Sequence, residues 1–200
     1  MDNEQFSQFA DRIIASTPTQ EVLTFRLVFG LLTADDDKFY DEQCGAEFVH
    51  IGIAKTFTYL TGKPFSEFGE DDIRPSLFLA NLLVVKAFYE RKSLAMGIGT
   101  LDSKTLDKLV TAVKLMGYQI DVIALAVSDD EIRQTWQSLN DTQRWQLSQR
   151  DYLSVDAVLY GLEDVAGHDV EYFMALQDKV DISLVSPDGV QMGKLAKHDE

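Results

Sequence analysis

The feature that most constrains the fold of this chain is the stretch from Ser93 to Gln134, which carries a strand–helix–strand–helix pattern. Ser93-Leu-Ala-Met-Gly-Ile98 is a short apolar run, and Gly99-Thr100-Leu101-Asp102 closes it as a turn. Asp102 or Ser103 can cap a helix whose apolar positions Leu106, Leu109, Val110, Val113 and Met116 recur at helical spacing. Gly117 stands where a left-handed residue commonly ends a helix. Ile120 to Val127 is almost continuously apolar, as a strand buried on both faces of a parallel sheet must be. Ser128-Asp-Asp-Glu131 opens the next helix as a capping box. Two parallel strands joined by a crossover helix imply an α/β sheet. Such sheets bind ligands at the carboxyl ends of their strands, here around Gly99-Thr100 and Ser128-Asp129.

Helical spacing also runs through the flanks of this unit. Phe6, Phe9, Ile13 and Ile14 form one stripe bounded by Pro18, and Leu23, Leu27, Val28, Leu31 and Leu32 form a second. The first 45 residues are therefore expected to be a helical N-terminal region. Phe48 to Leu60 fits either a strand followed by a helix or one continuous helix. Ser66 to Asp72 is an acidic loop by composition, and Pro75 starts a helix that ends near Arg91-Lys92. Apolar helical spacing resumes beyond Gln134 and continues to about Gln177. Val180 to Val185 alternates as a strand, Ser186-Pro-Asp-Gly189 is a type I turn, and Val190 to Leu195 returns as an edge strand.

Charge narrows the partners. Eighteen basic against 33 acidic residues leave a net charge of −15, which disfavours nucleic-acid backbones and anionic membranes. No apolar run is long enough to span a bilayer, and no charged-then-apolar leader precedes Phe6. One cysteine, Cys44, excludes an intrachain disulfide and suits a reducing, cytoplasmic setting. A protein partner is expected, with no direct nucleic-acid binding and no membrane association. Asp35-Asp36-Asp37 lacks the glycine and glutamate offsets of a calcium loop, and His50, His168 and His198 lack metal-ligand spacing. No metal is expected.

An ordered series of short motifs adds a family resemblance. Asp72-Ile-Arg74-Pro75 is followed by a helix, then Ile98-Gly99-Thr100, Gly117-Tyr118, Ala124-Leu-Ala-Val127, Arg133 and the turn Asp188-Gly189. In this order they resemble the zeta-toxin-like P-loop kinases, bacterial toxins that phosphorylate UDP-N-acetylglucosamine. The resemblance implies a single α/β domain: a parallel sheet flanked by helices, a helical extension over 1–45, a kinase-like core over 46–200 and a C-terminal β-hairpin. It implies that Asp72 stands where the family has its catalytic base and Arg133 where an arginine neutralises transferring charge. It also implies that Gly99 and Thr100 line the nucleotide.

The phosphate-binding loop is the departure. Its pattern is G-x-x-x-x-G-K-[ST], because glycines let successive N–H groups curl toward the phosphates. The best match is Val49-His-Ile-Gly-Ile-Ala-Lys55-Thr56, with Lys55 and Thr56 in order and Val49 and Ala54 in place of the two glycines. A β-branched residue forced to positive φ is strained by about 1–3 kcal/mol. The expectation is thus a non-catalytic binding or regulatory protein on a kinase scaffold, with no cofactor. A divergent nucleotide-sugar kinase using Mg-ATP is the enzymatic alternative. An acidic inhibitor that mimics nucleic acid is the third.

Overall fold

Along residues 24–29 the side chains alternate between two environments. Phe25 and Leu27 are fully buried on one side, and Arg26 and Val28 project to the other. This segment, Thr24–Phe29, is a β-strand (β1), not the helix that the spacing of Leu23, Leu27 and Val28 predicts. The residue pattern satisfies both periods at once. Its aromatic and β-branched content and the partners available on either side decide for the strand.

The computed structural model describes residues 2–29, 42, 44–98, 103–125, 137, 138, 140, 141, 182–185 and 191–195. Around β1 it arranges helix α1 (Asn3–Ser16), β2 (Val49–Ile51), α2 (Ile53–Thr61), a 3-10 turn at Phe65–Glu67, α3 (Glu70–Tyr89), β3 (Leu94–Ile98), α4 (Ser103–Leu115), β4 (Gln119–Leu125), β5 (Ile182–Val185) and β6 (Gln191–Leu195). The strands form one sheet in the order β2-β3-β1-β4-β5-β6. All neighbours are parallel except β6, which pairs antiparallel with β5 as the expected C-terminal hairpin. Residues 24–29, placed by the sequence in an N-terminal extension, instead supply a central strand. Phe48 to Leu60 resolves into strand and then helix.

Both crossovers that follow β2 and β3 pack on one face. There α1 (Phe6, Ala10, Ile14), α3 (Leu79, Leu83, Ala87) and α4 (Val110, Val113) cover Phe25, Leu27, Val49, Leu94 and Val122. Each such side chain removed from water stabilises the fold by about 1.5–3 kcal/mol. Phe88 stacks on Phe25 at 6.0 Å and meets Tyr118 edge-on at 5.3 Å, locking α3 over β1 and the entry to β4. Gly117 has φ +85°, the left-handed conformation its position after α4 requires.

At the amino edge of the sheet, polar bonds tie down the 17–23 segment. Lys92 Nζ donates to Thr17 O (2.7 Å) and Thr19 Oγ1 (2.9 Å), and Ser93 Oγ donates to Gln20 Oε1 while accepting from Thr24 N. Just before β2, Cys44 and Phe48 pack on the opposite face with Val28, Ala95 and Ile123. The helices expected between Trp136 and Gln177, and the turn at 186–189, fall almost wholly outside the described residues.

Candidate functional site

The strand order fixes where a ligand belongs. The residues that lead into the edge strand β2, Cys44 and Phe48, pack on one face, whereas the helix that links β3 past β1 to β4 packs on the other. In sheets whose neighbouring strands send their connections to opposite faces, ligands belong at the carboxyl ends of those strands. Phe29 and Ile98 are register partners, so the two strands finish level. Gly99 and Thr100 follow β3 directly in sequence, at the expected rim. They and Arg133 lie outside the described residues.

The segment proposed from sequence as a phosphate loop lies elsewhere. Val49–Ile51 is strand β2 and Ile53 already begins α2, so Gly52 alone separates strand from helix. One residue cannot form the curled cradle of a phosphate loop, and β2 is the outermost strand, separated from β1 by β3. This corrects the placement of the loop at 49–56. Thr56 is fully buried, and its hydroxyl donates to Gly52 O (2.8 Å) and Ile53 O (3.1 Å) within its own helix. Lys55 is buried as well, its ammonium 5.5 Å from the centre of the Tyr59 ring.

Asp72 sits in the first turn of α3, which begins at Glu70, five residues before the start that Pro75 implies. Its Oδ2 accepts the Gly69 N–H at 2.9 Å. That bond satisfies a donor at the helix entrance, and with Glu70 and Asp71 it places negative charge at the positive end of the helix dipole. Beneath these termini Ile53, Ala54, Phe57, Phe65 and Phe68 form a separate small core against which Ile73 packs. Lys55, Thr56 and Asp72 flank this α2–α3 cluster. Asn140 Nδ2 donates to Phe68 O at 3.2 Å, linking the chain beyond β4 to it.

A polar pair on the other face was not foreseen. Arg26 binds Asp121 through both Nε and Nη2 at 2.7 Å, across the β1–β4 pairing where the two residues are register partners. The Arg26 guanidinium lies 4.5 Å over the Phe48 ring. Cys44 sits beside it, and burial pushes its thiol up to about 11, with Arg26 opposing only part of the shift. A thiol held protonated is a poor nucleophile. The signal was present in the sequence: a base and an acid each interrupt an apolar strand. Pairing them required the strand order. Among the described residues no group of three or more His, Cys, Asp or Glu is placed to hold a metal ion, and no helix is long and apolar enough to cross a membrane.

With β1 located, the sequence that follows it takes on a different meaning. A strand–loop–helix phosphate cradle in this topology belongs directly after β1. The eight residues there are Gly30-Leu-Leu-Thr-Ala-Asp35-Asp36-Asp37. Aligned with G-x-x-x-x-G-K-[ST], the first glycine is kept and the remaining glycine, the lysine and the hydroxyl residue are each replaced by aspartate.

No protein-family model matches the sequence, and no curated protein does. Solved structures match the fold. A chain from the PezAT chromosomal toxin–antitoxin system of Streptococcus pneumoniae superposes with TM-score 0.59 at 14% identity, over 97% of this chain and 81% of that one. AvrRxo1-ORF1:AvrRxo1-ORF2 with sulphate ions gives TM-score 0.56 at 11% identity, over 96% of this chain and 66% of that one. The same pair with ATP gives 0.52 at 11%, over 96% and 64%. At these identities the likeness establishes the fold alone, an α/β sheet flanked by helices of the kind the order of motifs implies.

Proposed function

We propose that this chain is a cytoplasmic binding or regulatory protein on a zeta-toxin-like kinase scaffold, and that it does not transfer phosphoryl groups. The observation that carries this reading is the triple aspartate at 35–37, which follows the strand where the fold would need Gly-Lys-[ST]. A phosphate loop works by pointing backbone N–H groups and a lysine at a polyanion. A carboxylate about 4 Å from a phosphate charge costs about 1 kcal/mol in water and about 4 kcal/mol at an effective dielectric of 20. Three carboxylates at those positions repel what the loop exists to hold. Lys55 and Thr56 offer no substitute, since both are buried in the α2 layer.

A protein partner is the corresponding proposal for what the scaffold does. The structures that share the fold come from a toxin–antitoxin system and from a two-chain ORF1:ORF2 assembly. The low positive charge of this chain favours a protein over a nucleic acid. The competing phosphotransferase reading would gather Lys55, Thr56, Gly99 and Thr100 around Mg-ATP, with Asp72 as base and Arg133 as charge neutraliser. The two readings separate in an assay of phosphate transfer from γ-labelled ATP to UDP-N-acetylglucosamine. No labelled product above the no-protein blank is expected. Turnover that disappears in Lys55→Ala, with the fold intact by circular dichroism, would overturn the proposal.

A further inference from the structure

We draw no further inference here: the strongest candidate, the exposed apolar face of helix α3 that carries Leu77, Phe78, Val85 and Tyr89, supports no proposal because nothing in the structure shows what covers it.

Discussion

Two strand exits in this molecule divide the requirements of a phosphate site between them. The exit of β1 has the place, a central strand of the sheet, but its sequence runs into Asp35-Asp36-Asp37. The exit of β2 has the residues, Lys55 and Thr56 in order, but it is an edge strand that turns into α2 through Gly52 alone. On the proposed reading, neither exit holds a phosphate by itself. A motif read by residue type is therefore only half a site, and the sheet topology supplies the other half.

The contrast is most easily broken at β1. If Thr24–Phe29 is a central strand, Leu27→Ala should destabilise the protein by about 2–5 kcal/mol in chemical denaturation, because Leu27 is fully buried beneath the helices. A loss under 1 kcal/mol would return this segment to the surface and undo the comparison. Next in size is Asp72. Its carboxylate accepts the Gly69 N–H at the start of α3, so Asp72→Ala should cost about 1 kcal/mol in the same assay, and Asp72→Asn, whose amide oxygen still accepts, should cost less.

Between the two exits the chain passes Cys44, and its thiol reports on how tightly that connection packs. Burial raises its ionisation to about 11 from an ordinary value of 9.0. The unfolded chain therefore releases this proton first as pH rises. Stability from this group is complete below pH 9 and declines from there to about pH 11. Thermal melts should show a steeper fall over that window in the native protein than in Cys44→Ala, and equal slopes would mean that the thiol is solvated. The smallest effect lies at the turn into β3. Arg91 holds φ +52° without being glycine, so Arg91→Gly should raise stability by about 0.5–1 kcal/mol in the same denaturation assay.

Much of the architecture was legible because local and long-range signals agreed. The β3–α4–β4 unit appears where Ser93 to Val127 predicts it, down to the left-handed Gly117. The hairpin of β5 and β6 follows from alternation around a turn sequence. At β1 the signals conflicted: Leu23, Leu27 and Val28 satisfy helical spacing, while Phe25 and Leu27 alternate with Arg26 and Val28 as a strand does. Only the pairing with β3 and β4 settles the choice. The same conflict carries over to the site: the phosphate-loop pattern matches best at β2, whereas the strand order points to the segment after β1. The Arg26–Asp121 pair was missed for the same reason, its two residues being 95 apart in sequence and adjacent only through the sheet.

The most direct test of the central claim is titration calorimetry of the intact protein against Mg-ATP. The account predicts no heat of binding at protein and ligand concentrations that would reveal a micromolar complex. Saturable micromolar binding would contradict it, because the chain would then hold a triphosphate despite three aspartates in place of the loop's glycine, lysine and hydroxyl.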